Sequence, residues 1–199
     1  IISINSKNQK KNRKCSQKCE QFSYREKSKN KIFSIKDAHR FKDSIAFPET
    51  SLTVPKKYAN EDPKVLTDGA LGGNSFYSNW LGFEGNNLNA VVDLGELKEI
   101  KSLSMNFLQV TNHIVFFPVQ VEFFYSDDNL KWKSLGKVSN KSDLSPKSKV
   151  NDIQTFSINA GELKARYIKV IADNMSKAPI WHHGADLPSW IFADELIIE

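Results

Sequence analysis

The sequence predicts an all-β sandwich, and three observations carry that prediction. From about residue 47 onward, short runs rich in Val, Ile, Phe and Tyr recur between turn residues. Within those runs apolar and polar side chains alternate, the period-2 signature of half-buried strands. No stretch shows the sustained 3.6-residue periodicity of a long amphipathic helix. Strands with one apolar face need a second sheet to bury it against, and a sandwich supplies one.

The first 46 residues have a different character. They hold 13 Lys and Arg against 4 Asp and Glu, a net of +9, whereas residues 47–199 hold 15 against 19, a net of −4. The overall charge of +5 therefore belongs to the N-terminal segment. A basic arm can bind nucleic acid or an anionic surface through sequence-independent contacts. Residues 1–46 carry no RRM, zinc-knuckle or helix-turn-helix pattern, so they are read as a poorly structured basic linker, with no nucleic-acid partner. Cys15 and Cys19 stand in CSQKC, where zinc would need two further ligands and only the distant His39 is on offer. A local disulfide or two free thiols is the expectation. The chain opens on Ile1 with neither an apolar signal region nor a cleavage pattern, so it is read as part of a longer polypeptide. No apolar run approaches the roughly 20 residues that cross a bilayer, and no transmembrane segment is expected.

Residues 47–199 are read as one module. Its long opening connection, Pro48 to Asn89, holds five of the nine glycines, in LTDGALGG and WLGFEG, together with Phe76, Tyr77, Trp80 and Phe83. A loop this long and aromatic is expected to pack over one end of the scaffold. Strands are expected at VVDLG (91–95), IKSLSMNFLQV (100–110), VQVEFFYS (119–126), IQTFSI (153–158), ARYIKVIAD (165–173) and WIFADELIIE (190–199). Val119, Val121, Phe123 and Tyr125 share one face, as do Ile168 and Val170. Asp127-Asp128-Asn129 turns one strand into the next, with Trp132 packing in that hairpin. Trp80 and Trp190 adjoin apolar runs and are assigned to the core.

Taken in order, LTDGALGGNSFYSNWLGFEG, AVVDLGELKEIKSLSMNFLQ, FFPVQVEFFYSDDNLKW, ARYIKVIADN and PIWHHGADLPSWIFADELII resemble the coagulation factor 5/8 type C (discoidin-like) domain. More narrowly, they are similar to the version at the C-terminus of bacterial family 20 glycoside hydrolases, the β-N-acetylhexosaminidases. The resemblance runs from about Ser51 to Glu199 and implies a jelly-roll β-sandwich of galactose-binding-like type. It departs from the pattern at Asp128-Asn129, where Asp-Gly is usual, at His113, where Trp is common, and at Asp186, where glycine is common.

The resemblance implies a non-catalytic accessory module that binds carbohydrate through loops at one end. Its partners would be a glycan, containing N-acetylhexosamine, and a linked catalytic domain, in an extracytoplasmic setting. Alternatives are a structural domain that packs on the catalytic domain without binding glycan, and a discoidin-like adhesion module with FFP (116–118) as an apolar spike. Sugar recognition needs an aromatic face and a few fixed polar groups. The candidates are Trp181, His182 and His183 in one loop, Asn112 and His113 in another, and Phe83 and Glu84 from the glycine-rich loop. A structural calcium ion is also implied, with Asp68 and Glu195 as carboxylate ligands and oxygens of Leu71, Asn74 and Ser78 as additions; hard oxygen donors from a loop suit Ca²⁺. Asp194-Glu195 copies the letters of the hydrolase family's catalytic pair, yet 199 residues without alternating helices cannot build the (β/α)₈ barrel that pair works in. Within a strand the two acids are expected on opposite faces.

Overall fold

The computed structural model describes Ile45–Ala46 and residues 63–199, all within one compact unit. The expectations placed on the rest of residues 1–46, including the two cysteines, lie outside the described residues.

The strands are β1 (Ile45–Ala46), β2 (Leu81–Glu84), β3 (Leu88–Val110), β4 (Gln120–Ser126), β5 (Lys133–Ser139), β6 (Asn151–Ala172) and β7 (Trp190–Ile198). Short 3₁₀ turns occupy Pro63–Thr67 and Thr111–His113. Ile45–Ala46, assigned to the linker by composition, pairs with Val92 and Val91 of β3.

The frame is a long antiparallel hairpin of β3 and β6, with Leu88 opposite Ala172 and Val110 opposite Asn151. Four expected strands are therefore two. Each bends midway through the same local chemistry. Asp93 Oδ1 accepts the Gly95 N–H at 2.8 Å with Gly95 at φ +79°, and Asn159 Oδ1 accepts the Gly161 N–H at 2.7 Å with Gly161 at φ +70°. A short polar side chain two residues before a left-handed glycine turns the chain sharply, and ladder pairing resumes beyond it. The register shifts where the bends lie, between Asp93 and Lys98 and between Ile100 and Ser102.

The two halves of the bent hairpin carry different neighbours. The half ending at Val110 pairs with β7, and β7 with β2; the half starting at Leu88 carries β1 on β3, and β4 then β5 on β6. One strand order, β2-β7-β3-β6-β4-β5, thus folds over itself into two facing layers, a jelly-roll sandwich. Phe107 and Phe156 from one layer meet Val121, Phe123, Ile168 and Val170 from the other in a single core, all 0% exposed. Phe107 and Phe156 pack edge-on at 5.3 Å. Each such side chain contributes about 2–3 kcal/mol by leaving water.

A second apolar cluster lies on the outer side of the β3–β7 layer. Leu108, Val110 and Phe192 point away from the main core and are covered by Trp80, as expected for that tryptophan, with Phe76 and Trp190 against them. The glycine-rich loop supplies Trp80 and Phe76, so β7 is covered on both faces and nearly all of WIFADELII is buried. Close approach requires glycine at Gly72, where a Cβ would stand 2.1 Å from the Trp80 ring.

Candidate functional site

The antiparallel order gathers the 85–87, 111–119, 140–150 and 173–189 connections at one end of the sandwich. Asn174, 7% exposed, knits two of these segments to β2: its Nδ2 donates to the carbonyls of Phe83, Asn86 and Ser189, and its Oδ1 accepts from the Ser176 N–H and the Ser189 hydroxyl. Beyond it the 173–189 loop closes on itself, with the Ala178 N–H donating to Leu187 O at 2.9 Å.

At the tip of this loop the candidate residues separate by role. Ile180 is 93% exposed and Trp181 37% exposed, with the indole edge-on to His182 at 5.8 Å. His183 is exposed, while His182 is only 7% exposed. The reason is its bonding. His182 Nε2 lies 2.7 Å from Thr111 O, and its Nδ1 accepts the Gly184 N–H at 3.0 Å. His182, expected to face a ligand, instead joins the two loops from beneath, against the edge of Phe116 at 5.6 Å. That bond brings Asn112 and His113, both exposed, beside the Trp181–His183 tip.

Two further expectations are corrected. Phe83 lies in β2, opposite Ile191, and is 1% exposed in the core; Glu84, opposite Trp190, points to solvent. This strand was missed because Gly82 interrupts the apolar pattern, and it must be glycine because a Cβ would come within 2.8 Å of the Phe192 ring. FFP is no spike: Phe116 and Phe117 are 1% and 4% exposed, and Pro118 is buried too. Phe116, Phe117 and Met175 line a groove of about 190 Å³ together with Gln109, Asn140 and Ser142. Sequence reasoning overlooked this combination because its parts come from four separate segments. Phe76 and His113, with ring centres 5.0 Å apart, line a smaller crevice above Trp190 and Phe192. Trp190, assigned to the core, is half-buried there, stacked on Phe192 at 5.6 Å.

The departures noted in the sequence have local causes. Asn129 has φ +60° and Asp186 φ +65°, left-handed positions where glycine is the easiest residue and Asn and Asp are the best tolerated substitutes.

The acidic residues form a separate centre. Between Met105 and Phe107 on β3 the partners jump from Leu196 to Ala193, so β7 carries an extra residue at Asp194–Glu195. This bulge overturns the expectation that the two acids take opposite faces, because two residues oppose one and alternation is broken there. Both carboxylates meet the glycine-rich loop. Glu195 accepts the Gly69 N–H with both oxygens at 3.2 Å; Asp194 Oδ2 accepts the Gly72 N–H at 2.9 Å and Asn106 Nδ2 at 3.3 Å. Asp194 Oδ1 also accepts the Glu195 N–H. Burial pushes the Asp194 carboxyl above the usual carboxylate range. Glu195 is pushed up to about 8 by burial, reinforced by the negative charges of Asp68 and Asp194. Asp68 Oδ1 caps its own turn through the Ala70 N–H at 2.8 Å. The side chain of Leu71 is 61% exposed, Asn74 O accepts Asn151 Nδ2 at 3.4 Å, and Ser78 is tied back to Ser75 O at 3.0 Å. Among the described residues, no group of three or more His, Cys, Asp and Glu is arranged to hold a metal, so a cation here would rely on loop oxygens as much as carboxylates.

A two-layer jelly roll with a loop-built edge at one end is the architecture of discoidin-type, carbohydrate-binding-module-like domains. The chain belongs to the F5/8 type C domain family, which it matches over residues 50–191; domains of this family are non-catalytic binding modules. Among solved structures it is similar to GH31 CBM32-2 bound to GalNAc, at 11% identity and TM-score 0.50, covering 78% of this chain and 95% of that one. It is also similar to CBM32-1 from a family 31 glycoside hydrolase of Clostridium perfringens, at 14% identity and TM-score 0.49, covering 81% and 97%. A third similar structure is the C-terminal domain of a chitobiase from Bacteroides fragilis, at 17% identity and TM-score 0.40, covering 69% and 78%. No curated protein matches the chain. Among the described residues, no helix is long and apolar enough to cross a membrane.

Proposed function

We propose that this chain is a carbohydrate-binding accessory module that holds a linked, extracytoplasmic glycoside hydrolase of β-N-acetylhexosaminidase type at its glycan. The observation that carries the reading is the edge at the loop end. An accessible indole, Trp181, stands on a loop fixed by Asn174 and His182, with the exposed polar side chains of His183, Asn112 and His113 around it. An aromatic face takes the C–H side of a pyranose while fixed polar groups take its hydroxyls. Weak contacts suffice, because a tethered module raises the local substrate concentration for its partner domain. GH31 CBM32-2 is bound to GalNAc, which makes amino-sugar glycans the first probes.

The test is retention of the whole chain on immobilised N-acetylhexosamine glycans. Trp181→Ala should abolish retention without shifting the melting temperature; absence of retention by the wild type would sink the reading. In that event the exposed Ile180 and Leu187 (93% and 53%) favour the second reading, a surface that packs on a catalytic domain.

A structural calcium ion belongs to the same proposal. Asp68 and Glu195 would supply carboxylate oxygens, and Leu71, Asn74 and Ser78 further oxygens. Two features of the chain fit this. Asp194 and Glu195 are buried beside the half-buried Asp68, and among the described residues no basic side chain is a hydrogen-bond partner of these acids and the buried Thr67 Oγ1, next to Asp68, has none. Bound calcium would offset the repulsion between Asp68, Asp194 and Glu195. The residues themselves anchor the glycine-rich loop to β7.

A further inference from the structure

The bonding of His182 has a consequence for when the edge is assembled. Thr111 O can only accept, so Nε2 carries a hydrogen; the Gly184 N–H donates to Nδ1, so Nδ1 carries none. The two partners therefore select the neutral Nε2–H tautomer. We propose that His182 is a positioning residue whose neutral imidazole holds the Trp181 loop and the Asn112–His113 turn together, and that one proton on Nδ1 takes the edge apart. This rests on the ligand-binding reading above and adds acid-triggered release to it.

Protonation would place a hydrogen on Nδ1 directly against the Gly184 N–H. Two donors would then face each other across 3.0 Å, one acceptor would be lost, and a charge would sit on a ring only 7% exposed. Nε2 would still donate to Thr111 O, and beyond that carbonyl the surroundings offer the charge little. Phe116 meets the ring edge-on at 5.6 Å from the β3–β4 connection, and Trp181 does so at 5.8 Å from the same loop. His183 lies against it at 4.1 Å and offers no counter-charge. His113 follows Thr111 in the adjoining 3₁₀ turn, and at the base of the loop Lys177 and Asp186 pair with each other at 3.8 Å. Among the described residues, no carboxylate hydrogen-bonds either ring nitrogen, and backbone groups occupy both. The turn that would open carries Trp181 on one side, and the bond to Thr111 carries Asn112 and His113 on the other.

The experiment is an NMR titration of the whole chain from pH 7.5 to 5, read at the His182 ring nitrogens, the Gly184 amide and the Trp181 indole. Retention on immobilised N-acetylgalactosamine is measured alongside. At pH 7.5 the Nε2–H tautomer is expected. On acidification the Gly184 and Trp181 signals should move in step with the His182 ring, and Kd should rise by up to about tenfold per pH unit beyond the transition, because one proton removes the competent state. His183→Gln should keep the Gly184 and Trp181 signals moving in step with the His182 ring, whereas His182→Gln, which keeps a donor for Thr111 O, should fold and lose the pH dependence. Titration of His182 with Gly184 and Trp181 unmoved would overturn the proposal, as would an Nδ1–H tautomer at neutral pH or full pH dependence in His182→Gln. If that variant does not fold, the wild-type ring and amide signals decide alone. If no glycan is retained at any pH, the ligand-binding reading fails while the NMR titration still judges the switch.

Discussion

Replacing Asn174 by Ala tests how the loop end is held. The side chain donates from Nδ2 to Phe83 O, Asn86 O and Ser189 O at 3.2, 3.1 and 3.1 Å, and accepts at Oδ1 from Ser176 N–H and Ser189 Oγ at 2.9 and 2.6 Å. An amide has two N–H hydrogens, so one is shared between carbonyls and the side chain makes the equivalent of about four bonds. At about 1 kcal/mol net each, the loss is roughly 4 kcal/mol, reduced to about 3 because water can reach Asn86 O on an exposed turn. The bond from the Asn174 backbone N–H to Asn87 Oδ1 at 2.8 Å survives the change. Urea unfolding of the whole chain measures the effect; with a slope of about 2 kcal/mol per M, the midpoint should fall by roughly 1.5 M. Asn174→Asp keeps the accepting oxygens but sets a carboxylate against the three carbonyls, so it should cost at least as much. A loss below about 1 kcal/mol for both variants would refute the reasoning, because water would then be doing the work assigned to the amide.

Three more outcomes are expected. Gly72→Ala drives a Cβ into the buried Trp80 ring, whose Nε1 is pinned to Gly73 O at 2.8 Å, and should cost about 1–3 kcal/mol in thermal unfolding; no loss would mean the loop does not lie on that ring. The side-chain bonds from Arg166 to Asp93, at 2.8 and 2.9 Å, hold the Asp93 carboxyl below the usual carboxylate range. A depressed folded value means the pair stabilises above about pH 4 and that contribution is lost as pH falls further, so Arg166→Met should flatten the acid limb of the stability curve between pH 5 and 2; an unchanged limb counts against it. Chelating calcium should lower the melting temperature, by the equivalent of about 2.7 kcal/mol where free calcium had been 100 times Kd, and Asp68→Ala should remove the difference; a midpoint indifferent to both would exclude the ion.

Much of the architecture is local and therefore legible in the residues. Alternation set the inward faces of β4 and β6, so Val121, Phe123, Ile168 and Val170 are fully buried as their spacing required. The turn at Asn129 follows from the tolerance of Asn for positive φ. The loop that carries Trp181 was recognisable from its turn residues and its place between two strands. Other features depend on partners distant in the chain. Gly82 weakens the pattern of β2, and only its pairing with Phe192 shows why a strand tolerates it. The bulge at Asp194–Glu195 exists because β3 offers one residue, Asn106, where β7 offers two, a register that neither strand encodes alone.

The end of the chain, APIWHHGADLPSWIFADELIIE, divides along the same line. By itself the sequence determined that its first half is a loop and its second half the closing strand, since turn chemistry and apolar periodicity act over a few residues. Only the tertiary structure decided that His182 faces inward and His183 outward, and that both acids lie under the glycine-rich loop. Those outcomes turn on Thr111 O, Gly69 N and Gly72 N, partners brought close by the folding of the two layers, and the direction of a side chain follows the partner it can reach.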